Sequence, residues 1–227
     1  MASQTITPDL VQRAAGISEQ VTTTLRNLIL SGQIDEDEVL TEAGLGSRLG
    51  VSRTPVREAL ARLENEGLIE SAGLRGKRIK RFSAAEISEL FWLRRTIEEA
   101  TVAELAERGL NPDDLKTLAD YLEAQRQAAE ADNPAEFLEI DHHFHAALVQ
   151  FLGYERVAVM LQGLRYTFDL IGLKPTYQHA GRTGEVLSEH RAILAALAAR
   201  DAKAAKRAMA EHLARTKALV LASLTDD

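Results

Sequence analysis

Val51-Ser52-Arg53-Thr54-Pro55-Val56-Arg57-Glu58 crowds two arginines and two hydroxyl side chains into one short stretch. A guanidinium fork matches both phosphate oxygens and the edge of guanine, and hydroxyls serve either. Pro55 fits a helix only in its first turn, where its missing N–H is not needed. A helix therefore starts here, with Ser52 or Thr54 as its cap. Beyond that start Val56, Leu60, Leu63 and Ile69 line one side, while Arg57, Arg62, Glu64 and Glu66 point away. A helix start carrying Ser52, Arg53, Thr54 and Arg57 is suited to phosphates and base edges. The plainer alternative is a surface helix with solvated arginines.

One carboxylate and three imidazoles form a second constellation. Asp141 and His145 lie four apart on a predicted helix, which stacks both side chains on one face. His190 opens the pattern of a second helix, and His212 sits in a third. The short Arg200-Asp201 turn makes these two helices antiparallel. His190 is ten residues before that turn and His212 eleven after it, so they face each other at one level. Such a donor set suits Zn²⁺, with Ni²⁺, Mn²⁺ and Fe²⁺ as alternatives. A single histidine in a helical protein is usually an ordinary core or surface residue. Four groups at matching levels on three helices ask for more. His142 and His143 point off the Asp141–His145 face and are left out, as is His179 in the irregular stretch from Gly172 to Gly184.

The surrounding elements fit these roles. Residues 42–49 form a helix with Leu45 and Leu49 on one face, and Gly50 breaks it. Helix, glycine turn and Arg-rich helix over 52–66 make a helix-turn-helix candidate. Leu68, Ile69 and Ile79 then give strand character around a glycine tip, and five of the seven residues from Arg75 to Arg81 are basic. This is a wing, and Gly76 and Lys77 should bring it against the DNA backbone. From Thr41 to Phe82 nine Lys/Arg face five Asp/Glu, whereas from Ser83 onward 16 face 23. The positive charge sits where the motif is, in a chain of net charge −7.

At 227 residues the chain is long enough for one small and one larger domain. It has no cysteine, which excludes a disulfide framework, a thiolate metal site and a cysteine nucleophile. No apolar run reaches the about 18–20 residues of a membrane span, and no signal-peptide pattern opens the chain. A soluble, cytoplasmic protein is expected. Few aromatics and many alanines after residue 83 favour packed helices. The expected fold is mostly α: a flexible N-terminus over 1–17, a winged helix-turn-helix over 18–82, and an all-helical bundle over 83–227. The first helix is placed at Ser18–Ser31. Ser83-Ala84-Ala85-Glu86 is a capping box that opens the bundle.

The stretch from Leu40 to Gly76 resembles the DNA-binding domain of the GntR family of bacterial transcription regulators. The resemblance is carried by Leu45, Leu49 to Leu60, Arg62-Leu63-Glu64 and Glu66-Gly67-Leu68-Ile69. The helical remainder of the chain resembles the FCD ligand-binding domain of the FadR-like subfamily. That resemblance implies a metal held by Asp141, His145, His190 and His212. It also matches Leu93-Arg94-Arg95-Thr96-Ile97-Glu98 to a family pattern whose arginine faces an effector cavity and grips a carboxylate. The other reading of Arg94 is a pair with Glu98 one turn on. The family implies a homodimer on a pseudo-palindromic operator, usually repressing neighbouring catabolic genes under control of a small carboxylate. No membrane partner is expected.

Three departures stand out. Gly44 and Gly46 each cost roughly 1 kcal/mol against alanine in the helix before the turn. Ala43 stands where some relatives carry a DNA-contacting arginine, and Gly153-Tyr154 where they show Gly-Asn. A metalloenzyme or a direct metal sensor could use the same Asp/His set. The residues on the metal side include no clear extra general base for an enzyme.

Overall fold

The computed structural model describes residues 8–173 and 181–223, and these fall into two compact units divided between Arg81 and Phe82. His179 lies outside the described residues.

In the first unit α1 spans Pro8–Leu30. It starts ten residues before the expected Ser18, inside the stretch read as a flexible N-terminus. Pro8 suits a helix's first turn, and the leucine, glutamine, arginine and alanines after it are helix formers, so only Gly16 weakens the run. Val21, Leu25 and Ile29 are buried. Helix α2 spans Glu42–Leu49, with the Thr41 hydroxyl accepting from the Gly44 N–H at 3.1 Å. Gly50 then turns the chain in the left-handed region. A Cβ at Gly46 would sit 3.0 Å from the Val51 carbonyl oxygen, so the small residue lets the turn close tightly.

Helix α3 spans Arg53–Asn65 and buries Val56, Ala59, Leu60 and Leu63. Ser52 is its cap residue by position, but its side chain makes no capping hydrogen bond. Arg26 of α1 forks onto Glu66 just past the end of α3, at 2.9 and 2.6 Å. Strand β1 (Ile69–Ser71) pairs antiparallel with β2 (Lys77–Ile79), so Ile69 belongs to the hairpin and not to the apolar side of α3. Leu40 bridges to Lys77. Gly76 (φ 133°) is needed at this crossing, because a Cβ would lie 2.5 Å from the Leu40 carbonyl oxygen.

In the second unit the capping box of Ser83 and Glu86 is formed and opens α4 (Ala84–Arg108). Asn111 and Asn133 cap α5 (Pro112–Glu130) and α6 (Pro134–Phe151), each with proline in the first turn. Helix α7 (Glu155–Phe168) runs into a π-turn over Asp169–Leu173. Helix α8 (Arg182–Ala198) and α9 (Ala202–Ser223) close the unit. Helix α4 lies along α9, α9 along α8, α8 along α5, α5 along α6, and α6 returns to α4. Val102, Leu105, Leu118, Phe144, Ile193 and Met209 are among the residues that fill one core cluster of this ring. A second cluster includes Phe91 and Phe168, packed edge to face at 5.3 Å. No helix among the described residues is long and apolar enough to cross a membrane.

Candidate functional site

The ring of helices brings Asp141, His145, His190 and His212 together. All four are buried, at 0–5% exposure, and one donor atom from each lies within 4.8 Å of the others. The His190 Nε2 is 3.5 Å from Asp141 Oδ1, and the His145 Nε2 is 3.9 Å from Oδ2. Both oxygens of Asp141 and the Nε2 atoms of His145 and His190 have no hydrogen-bond partner among the described residues. A buried polar atom without a partner costs about 1–3 kcal/mol. These unanswered atoms belong to three of the four residues whose donors converge, an arrangement that fits a cation.

Three side chains from three other positions orient the imidazoles. The His145 Nδ1 meets Glu98 of α4, the His190 Nδ1 meets Gln125 of α5 at 2.9 Å, and the His212 Nδ1 meets Glu189 of α8 at 2.7 Å. An oxygen acceptor places the proton on Nδ1 and leaves the Nε2 lone pair for an ion. Phe144 stacks on the His190 ring at 4.3 Å and fixes its plane. Burial, then the nearby His212 and His145, push His190 well below its ordinary pKa. Burial also lowers His212, against the opposing effect of the hydrogen bond it donates to Glu189. Both rings are thus held neutral, the form that ligates metal. Burial would raise Glu189, but His212 and Arg182 outweigh it and hold the carboxyl at about 2.

These shifts have a consequence for the metal-free protein. In the unfolded chain His190 and His212 protonate near pH 6.5, whereas in the fold they resist protonation. Below that pH the unfolded state binds more protons, so stability falls as pH falls. The melting temperature of chelator-treated protein should drop between pH 7 and pH 5, a window above ordinary carboxylate titration. His190→Asn should flatten the drop. A flat wild-type profile would contradict the neutral assignment.

A cavity of about 610 Å³ adjoins the cluster through His145. Its walls include Arg94, Glu98, His142, Arg165 and Phe168. Arg94 makes the pair with Glu98 and also faces the cavity: its Nε donates to Glu98 Oε1 at 2.5 Å. The guanidinium also lies over the Phe168 ring, 5.2 Å from its centre. Arg95 is exposed and pairs with Glu99. His142 turns its Nε2 to Asp169 at 2.7 Å, and His143 stands beside Glu139, so neither joins the four. Sequence patterns alone did not identify Gln125, Glu189 or the Glu98–His145 contact. Gln125 left a signal, as a polar residue on the buried stripe of Leu118 and Leu122.

In the first unit Ser52, Arg53, Thr54 and Arg57 are exposed at the start of α3. A groove of about 560 Å³ between this helix and the hairpin is lined by Thr41, Arg57, Gly76 and Lys77 among others. Arg57 and Lys77 are already paired. Arg57 forks onto Glu42 at 2.7 and 2.9 Å, and the Lys77 Nζ donates to both oxygens of Glu64 at 2.6 and 2.7 Å. The hydrogen bond to Arg57 holds Glu42 below the usual carboxylate range. Arg78 pairs with Glu70 and Arg81 with Asp37.

Comparison with known proteins matches residues 17–79 to the bacterial regulatory proteins of the gntR family and residues 89–215 to the FCD domain. The HTH-type transcriptional repressor RspR of Escherichia coli K12 is 31% identical over 197 residues, covering 87% of this chain and 86% of RspR. A GntR regulator from Rhodococcus sp. RHA1 superposes with a TM-score of 0.74 at 27% identity, over 90% of this chain and 97% of that one. The E. coli McbR/YncC structure gives 0.75 at 25% identity, over 92% and 98%. The chain thus belongs to the GntR family of bacterial transcription regulators, with the winged helix-turn-helix and FCD domain of its FadR-like members, and is a regulator and not an enzyme.

Proposed function

We propose that this protein is a homodimeric repressor of catabolic genes, acting in the bacterial cytoplasm and controlled by a small carboxylate bound beside a divalent metal. The observation that carries this reading is the meeting of Asp141, His145, His190 and His212, the first three with unanswered buried atoms, beside a cavity that also holds Arg94. Asp141, His145, His190 and His212 would hold the ion, Zn²⁺ first and Ni²⁺, Mn²⁺ or Fe²⁺ as alternatives. An ion that takes six ligands keeps about two positions for a carboxylate. Arg94 would hold the effector's far end with its guanidinium. RspR's name as a repressor agrees with the proposed sign of regulation.

A dimer is expected from the size of the reading head. One recognition helix covers too few base pairs for specificity, and two-fold pairs on pseudo-palindromes solve this. Trp92, Val159 and Met160 are large apolar side chains left exposed in the second unit, Trp92 to 67%. A second copy would cover such surface.

One experiment tests the reading. DNA flanking the gene is titrated with metal-loaded and chelator-stripped protein, with light scattering for mass, against a panel of small carboxylates. We expect twice the 24.9 kDa chain mass, and release of DNA by at least one carboxylate only when metal is present. Metal alone altering DNA affinity, with every carboxylate silent, would favour direct metal sensing. A monomer with intact operator binding would end the dimer proposal.

A further inference from the structure

We propose that Glu98 is a positioning residue that couples the cavity to the metal centre, so that an anion on Arg94 and a metal on His145 favour each other. This rests on the metal-and-carboxylate reading above. The three oxygen acceptors behind the imidazoles are not alike. Gln125 is neutral and serves His190. Glu189 serves His212 and is held by Arg182 at 3.0 and 3.3 Å and by Arg215 at 3.1 Å. Glu98 alone of the three lines the cavity, and its partner Arg94 lines it too. The Glu98 carboxylate is 2% exposed and divided: Oε1 faces the Arg94 Nε and Oε2 faces the His145 Nδ1.

That division sets up a competition. A carboxylate accepting from Nδ1–H makes the opposite Nε2 a better donor to a cation. Arg94 draws on the same carboxylate, and it adds a positive charge close to the cluster in a poorly screened interior. Both effects weaken the hold on a metal. An anion that neutralises Arg94 relieves both, so metal affinity rises. Linkage then requires the metal to raise the anion's affinity by the same factor. The buried Arg94–Glu98 pair, which alone would be an ordinary i,i+4 ion pair, becomes the contact through which the cavity and the ion communicate.

The test needs only Zn²⁺ and full-length protein, read by competition with a chromophoric chelator. Glu98→Gln should weaken zinc about 10- to 100-fold, the usual cost of a lost outer-sphere partner. Arg94→Met should tighten zinc. In the Glu98→Gln background the Arg94→Met effect should largely disappear, leaving only direct repulsion. In a Glu189→Gln background, where zinc is also weakened, the Arg94→Met effect should persist in full. This contrast is a coupling that a merely structural role would not produce. If Glu98→Gln does not fold, Glu98→Asp replaces it. Aspartate keeps the charge but lacks the reach to both partners, and should also remove the Arg94 effect. Equal Arg94 effects in all three backgrounds, or zinc weakened by Arg94→Met in the wild-type background, would overturn the link. Wild-type protein that binds no zinc would overturn the metal reading itself, a separate failure.

Discussion

Alanine in place of His212 should strip the metal from the purified protein and lower its melting temperature by on the order of 10 °C. The ion would tie α6, α8 and α9 together, because its ligands come from all three. A ligand present at a thousand times its dissociation constant stabilises a fold by about 4 kcal/mol, and each kcal/mol moves a protein of this size by roughly 2–4 °C. His212 is buried and answers Glu189, so part of the loss comes from that broken contact. Chelator treatment separates the two parts: stripped wild-type protein should show the metal's share alone. Arg94→Ala should behave differently. It should keep the metal but lose the response of DNA binding to a carboxylate, because Arg94 touches the cavity and not the ion. Wild-type protein purified without metal, together with unchanged melting of His212→Ala, would remove the site. Metal retained with Arg94→Ala fully responsive would leave the site and remove Arg94 from the effector.

The meeting of four metal-binding groups was legible because it depends on counting. Asp141 and His145 share a face at i,i+4, and a short turn puts His190 and His212 at one level. Their rings do meet, with centres 4.7 Å apart. The acceptors behind them were hidden for the opposite reason. Glu98 and Gln125 reach the site from α4 and α5, and which turn of those helices faces α6 or α8 is set by packing across the ring. The Arg57–Glu42 and Lys77–Glu64 pairs were hidden likewise, since helix crossing and hairpin register create them. The early start of α1 has another cause. Polar composition suggested a loose end, but the residues after Pro8 form helix readily, and composition alone does not register that.

The internal pairing of Arg57 and Lys77, two cations expected to meet DNA, sharpens what their removal should do. Arg53→Ala and Arg57→Ala should each weaken binding to the specific operator about ten- to a hundredfold, the cost of a lost base contact. Lys77→Ala should weaken all sequences alike and lower the salt slope by about 1, as expected for a phosphate contact. Glu42 and Glu64 add a second set of outcomes. Each carboxylate takes the hydrogen-bond donors of its cation, the same atoms a base edge or a phosphate would need if these cations contact DNA. On that expectation DNA would have to replace the carboxylate, and only a well-placed base edge would match the two hydrogen bonds that Glu42 accepts from Arg57. Glu42→Gln should raise affinity for unrelated DNA more than for the operator, narrowing the specificity ratio. Glu64→Gln should raise both together, since Lys77 reads charge and not sequence. Anisotropy on operator and scrambled duplexes, at several salt concentrations, measures all five variants. If Arg53→Ala and Arg57→Ala both bind the operator as wild type does, α3 is not the recognition helix. If Glu42→Gln leaves the ratio unchanged, its contact with Arg57 has no part in discrimination.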